Sequence, residues 1–136
     1  MKALSIHPAF AGAIMAGLKT IEVRTWSTEY RGDLLICSTA KKLKDTIPSH
    51  ALCVVRLADI IPFKKKHLKA ACLQPKDYKP GMYAWILEDL RDIMPFEVKG
   101  KLSLWECNHD IEYLKKPDTP EEDEKMYKEI WEPLFI

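Results

Sequence analysis

Four side chains set close together carry the most chemistry in this sequence: Lys19, Glu22, Arg24 and Trp26. Residues two apart on an extended strand point to the same side. Glu22, Arg24 and Trp26 therefore share a face if this stretch is a strand, with Lys19 just before it. A lysine ammonium can hold a phosphate as a point charge. An arginine can grip one with a bidentate fork. A carboxylate can accept from a base edge or act as a general base. Stacking a base on a tryptophan is worth roughly 1–3 kcal/mol. A plainer reading stands beside each role. Glu22 and Arg24 can pair only with each other, for about 0–1 kcal/mol if exposed. Lys19 can cap a helix end, and Trp26 can pack in a core or at its rim. Ser5 and His7 lie just upstream. A histidine there can titrate near neutral pH or merely satisfy local backbone groups. Arg31, Ser38 and Tyr83 complete the candidate ligand-lining set. Tyr83 shares a face with Trp85, which reads as core.

The elements that must position these residues follow from periodicity. Ala3–Ile6 reads as a first strand. Pro8 suits a first helical turn. Phe10, Ile14 and Leu18 form an apolar stripe, and Gly17 closes the helix, giving a helix over 8–18. Thr20–Trp26 alternates apolar and polar residues as a half-buried strand does. Leu34–Cys37 is apolar throughout, a strand covered on both faces. Ala51–Phe63 is one long or broken strand, and Lys64–Cys72 a short lysine-rich helix. Gly81–Leu90 is a central strand that Ile93–Phe96 continues or turns. Lys101–Glu106 is a further strand. Thr119 can cap a last helix beginning at Pro120, with Glu121 and Glu122 in its first turn. Strands follow one another without alternating helices, which disfavours a doubly wound parallel sheet. The expected class is α+β, a small and mostly antiparallel β-barrel with short flanking helices.

Composition narrows the class of function. A chain of 136 residues suits one domain. We divide it into a body, 1–110, and an acidic C-terminal extension, 111–136, expected to be helical and packed on the body. The net charge of +1 hides a split. Residues 1–116 hold 19 Lys and Arg against 13 Asp and Glu, and residues 117–136 hold 2 against 7. A modestly basic body can attract polyanions, and an acidic tail can engage a protein partner. No apolar run approaches the ~18 residues of a membrane span, and no secretory pattern opens the chain. A cytoplasmic location is expected. The four cysteines, Cys37, Cys53, Cys72 and Cys107, form no Cys-x-x-Cys pair and read as free thiols. His7, His50, His67 and His109 lack ligand spacing, so neither metal nor cofactor is implied. Walker and dinucleotide fingerprints are absent. Two basic groups, Lys41, Lys42 and Lys44, and Lys64, Lys65, Lys66 and Lys69, can track a phosphate backbone or simply be solvated.

The order of features is distinctive. Ser5-Ile6-His7-Pro8 precedes a helix, then Gly17-x-Lys19-x-x-Glu22-x-Arg24-x-Trp26, then Arg31-Gly32-x-Leu34-Leu35-Ile36. Gly81-x-Tyr83-Ala84-Trp85 and Lys99-Gly100-Lys101-Leu102-Ser103-Leu104-Trp105 follow in order. This pattern resembles the ASCH family, the activating-signal-cointegrator homology domains, over roughly residues 3–107. The resemblance implies a PUA-like β-barrel and a cleft for RNA or a nucleotide-like small molecule. One branch of the family deacetylates an acetylated cytidine nucleoside and carries a threonine three residues after the motif lysine. Here that position is Glu22, and Thr20 is out of phase. Three readings follow. The first is binding of RNA or a nucleotide-like ligand. The second is a hydrolase acting on a modified nucleoside or RNA, ribonuclease- or amidohydrolase-like, with Glu22 as general base and Lys19 as electrostatic stabiliser. The third is a protein-interaction module that docks through the acidic tail.

Overall fold

The computed structural model describes residues 1–136. Its strands are β1 (Lys2–Ile6), β2 (Ile21–Arg24), β3 (Gly32–Ser38), β4 (His50–Pro62), β5 (Tyr83–Glu97) and β6 (Leu104–Glu106). The α-helices are α1 (Pro8–Met15) and α2 (Pro120–Met126), the latter running into a π turn at Tyr127–Trp131. All six strands form one sheet in the order β2-β5-β4-β3-β1-β6. Every neighbouring pair is antiparallel except β1 with β3. This is the expected α+β class, with one difference. The hydrogen bonding leaves β2 and β6 as free edges, so no ladder closes a barrel. Both edges are very short, which limits the unpaired backbone they offer to other chains.

β4 and β5 span 13 and 15 residues and build the spine of the sheet. Their register shifts three times, between Ala51 and Cys53, Val54 and Arg56, and Leu57 and Asp59. Each such irregularity bends and over-twists the ladder, so the long pair coils and does not lie flat. Central strands are covered on both faces. Leu34 and Ile36 of β3 enter a 14-residue core with α1 residues Ala11 and Ile14. Their neighbours Leu35 and Cys37 enter a second core with Val54 and Ile93. Trp85 is fully buried in the larger one.

Local sequence sets the ends of several elements. The His7 ring accepts the Ala9 N–H at 3.1 Å and caps α1, with Pro8 at its first position. The helix stops at Met15, short of the expected residue 18. Gly17 sits at φ +79, and the N–H groups of Leu18 and Lys19 both fold back to the Ala13 carbonyl. β2 ends at Arg24, before Trp26, because its partner β5 begins at Tyr83, the residue opposite Arg24. The lysine-rich segment after β4 forms only a 3-10 turn at Lys65–His67 and no longer helix.

The C-terminal segment joins the same body. Met94 N–H donates to the Glu112 carbonyl at 2.8 Å and Leu114 N–H to the Asp92 carbonyl at 2.9 Å. Thr119 caps α2 by accepting the Glu122 N–H. Trp131 is buried in the main core. No helix is long and apolar enough to cross a membrane.

Candidate functional site

The corner between α1 and β2 brings Lys19, Glu22 and Arg24 into one continuous relay. Lys19 Nζ donates to the Ala71 carbonyl at 2.6 Å, lies 3.4 Å from Glu22 Oε1 and sits 4.6 Å above the Phe10 ring. The other carboxylate oxygen, Oε2, accepts from Arg24 Nε at 3.1 Å, with the adjacent guanidinium nitrogen 2.9 Å away. That nitrogen also donates to the Ser5 carbonyl at 3.0 Å. Side-chain exposure rises along the relay, from 1% at Lys19 and 8% at Glu22 to 25% at Arg24. Two cations flank one carboxylate, so the relay keeps one net positive charge, and Arg24 is the member that presents it.

Burial explains the electrostatics. Loss of solvent pushes the Lys19 ammonium below its ordinary value of 10.5, and the Glu22 carboxylate opposes that shift. Buried ion pairs of this kind carry a desolvation penalty that excellent geometry must offset. The relay meets that demand, because Glu22 accepts a two-pronged contact and Lys19 fills its remaining space with a carbonyl and an aromatic face. Lys19 thereby ties the corner to the segment after β4.

Two hollows meet at Arg24. The larger, about 870 Å³, is lined by Ser5, Arg24, Thr39, Ser49 and the loop 97–103. That loop supplies Lys99, Lys101 and Ser103, and Leu102 stands 94% exposed on it. Gly100 passes so close to Ser5 that a Cβ would lie 2.5 Å from its hydroxyl. The smaller hollow, about 460 Å³, is lined by His7, Phe10, Lys19, Glu22, Arg24 and Asp77 among others. The larger falls within the roughly 300–1,000 Å³ of small-molecule sites.

The other expected residues fall elsewhere. Trp26 packs edge-on against Trp85, centroids 4.8 Å apart, and its carbonyl accepts the Trp85 indole N–H. It lines neither hollow. Ser38 is buried and exchanges hydrogen bonds with the His50 backbone. Arg31 holds the Thr28 and Tyr30 carbonyls. Tyr83, 37% exposed, starts β5 opposite Arg24 but lines neither hollow. Ser5 and His7 do line the clefts, one on each side of Arg24. Thr39, Ser49, Lys99 and Lys101 were not among the site residues expected from sequence. The only available signal was the Lys99-Gly100-Lys101 run, whose glycine permits the close approach to Ser5. The two lysine groups at 41–44 and 64–69 lie outside the clefts and are mostly exposed. No three metal-donor side chains come together. The Cys37 thiol is pushed up to about 12 by burial, which removes it as a nucleophile near neutral pH.

The open, mostly antiparallel α+β sheet agrees with the class of protein that the resemblance implies, a PUA-like domain. The chain belongs to the ASCH family: the family's sequence model, described as ASCH domain, matches residues 4–132. It is also similar to the human protein Activating signal cointegrator 1, with 46% identity over 130 residues. That match covers 79% of this chain and 22% of the human protein, so the chain corresponds to a minor part of it. Among solved structures, the ASCH protein of Zymomonas mobilis superposes with a TM-score of 0.63 at 18% identity, over 95% of this chain and 94% of that one. A serine-to-alanine variant of the same bacterial protein gives 0.61 at 19%, over 93% and 94%. These structural likenesses concern the fold.

Proposed function

We propose that this domain binds RNA or a nucleotide-like ligand across the two hollows that meet at Arg24. The observation that carries this reading is the fixed guanidinium: Glu22 and the Ser5 carbonyl hold it, and it lines both hollows. A pre-positioned fork loses little side-chain entropy when it meets a phosphate. Lys99 and Lys101 add charge on one side, and the hydroxyls of Ser5, Thr39, Ser49 and Ser103 can meet ribose or phosphate oxygens. Trp26 is occupied by Trp85, so recognition rests on the phosphate–sugar backbone more than on base stacking.

The hydrolase reading gains no support from the relay. Glu22 has both carboxylate oxygens taken up by cations, Oε1 beside Lys19 and Oε2 beside Arg24, so neither is turned towards a substrate or an attacking water. Its role is to aim Arg24. The test is a salt series of fluorescence anisotropy with a labelled single-stranded RNA. Binding should weaken log-linearly with salt, and each neutralised phosphate contact adds about 0.7 to the slope. Arg24→Ala should cost at least about tenfold in affinity, the equivalent of one charge-assisted hydrogen bond. No binding at low salt, or identical binding by Arg24→Ala, refutes the reading.

A further inference from the structure

A second concavity, about 920 Å³, lies apart from the Arg24 clefts and shares no lining residue with them. It is walled by α1, the loop 45–47 and the segment 117–135, with Leu52 of β4 and Asp92 of β5 between them. Its chemistry is opposite in sign. Four carboxylates line it, Asp45, Asp92, Asp123 and Glu124, and no lysine, arginine or histidine does. Glu124 pairs with Lys128 at 3.0 Å. The other three take part in no ion pair. The rest of the lining is mainly apolar. Along α1 and its C-cap it is made by the small residues Ala9, Gly12, Ala13 and Ala16 together with Pro8 and Met15, and a Cβ built on Gly12 meets nothing within 4 Å. Tyr127 and Leu18 reach it while 46% and 72% exposed.

We propose that this groove docks a basic amphipathic helix of another protein. Charge complementarity selects the sign of the partner: three unpaired carboxylates around an apolar trough favour a segment with lysines or arginines flanking apolar anchors. The walls select its conformation. The free edges of the sheet are β2 and β6, and neither contributes to the groove. No sheet edge is offered here for strand addition, so a partner is read through its side chains, and a helix laid in the groove sets apolar anchors and flanking cations on one face. The small residues of α1 allow that helix to approach its backbone closely.

The test uses the full chain, labelled with 15N, and a set of capped helical peptides of about 15 residues, near the length at which an isolated helix holds. Members carry Leu, Ile, Phe or Trp at i, i+3 and i+7 with Lys and Arg elsewhere. Counterparts carry Glu in place of the basic residues. Basic peptides should shift the amide signals of Ala13, Asp92 and Tyr127 and leave Lys99 and Ser103 unmoved. Gly12→Phe, which fills the trough from an unstrained helical position, should weaken binding at least about tenfold. The double change Asp92→Asn with Asp123→Asn should weaken it by about two- to thirtyfold, the range of two exposed ion pairs. Urea unfolding of both variants confirms that they fold. The proposal is overturned if no basic peptide binds, if acidic counterparts bind as well, or if shifts fall on the Arg24 clefts. Binding of dodecylammonium alone, with no peptide bound, also overturns it by making the groove a small-cation site.

Discussion

The Arg24 clefts and the α1 groove sit in one small domain and solve opposite problems. In the clefts every buried charge has a partner. Lys19, Glu22 and Arg24 neutralise one another stepwise, and the surplus positive charge emerges only where Arg24 meets solvent. In the groove Asp92 is partly buried, and burial raises it above the ordinary 3.8, with Asp123 adding to the rise and Lys116 opposing it. The first region is built to hold its charges rigidly without a ligand. The second leaves three of its four carboxylates, Asp45, Asp92 and Asp123, outside any ion pair, an arrangement that a cationic partner would relieve. Removing one member of a buried ion network strands the others at a high cost, whereas removing a partly buried charge that has no partner does not.

The largest effect expected from this contrast is on stability. Glu22→Ala strands two cations in the corner and should lose about 3–5 kcal/mol in urea unfolding. Asp92→Asn should leave stability unchanged or raise it slightly. Equal losses at the two sites would break the comparison.

Binding comes next. The double change Lys99→Ala with Lys101→Ala should reduce the RNA salt slope by about 1.4, two contacts at about 0.7 each. It should leave binding of a basic peptide unaltered. A parallel fall in both would mean that one surface serves both ligands.

The pH dependence of stability should differ in sign between the regions. Asp92 binds its proton more tightly when folded. Its stabilising contribution is full below 3.8 and is lost as pH rises through the raised folded value. Lys19 binds its proton less tightly when folded. Its contribution is full above 10.5 and is lost as pH falls through the lowered folded value. Thermal melts across pH should therefore show Asp92→Asn gaining on wild type as pH rises out of the acid range. Lys19→Met should lose its relative standing as wild type gains between the lowered value and 10.5. Flat difference curves would remove burial as the cause of either shift.

The smallest effect concerns the groove wall. Gly12→Ala, in mid-helix with open space around its Cβ, should stabilise the chain by about 1 kcal/mol. A loss instead would show that α1 needs the glycine for its packing.

Much of the frame was legible from short-range patterns. β3 reads as covered on both faces because Leu34, Leu35, Ile36 and Cys37 are all apolar, and two cores indeed take alternate residues. Thr119 announced the start of α2, and Pro8 and Gly17 bracketed α1. The relay was also local in origin. Lys19 and Glu22 are three apart, and Glu22 and Arg24 two apart. What failed to read were features set by a distant partner. Trp26 leaves the expected strand because β5 offers nothing beyond Tyr83 to pair with it, and Trp85 then claims its ring. The loop carrying Lys99 and Lys101 reaches the site through Ser5, and the glycine between the two lysines does not by itself name that distant partner.

By itself, then, the sequence determined the family, the strand-rich class, the helix caps and the existence of a charged corner, because each depends on residues within a few positions of one another. Tertiary structure alone decided that Lys19 faces inward and Arg24 outward, since that depends on the Ala71 and Ser5 carbonyls closing around them from 52 and 19 residues away. It also decided that an acidic tail, a small-residue helix face and Asp92 line one groove, a convergence that no local spacing encodes.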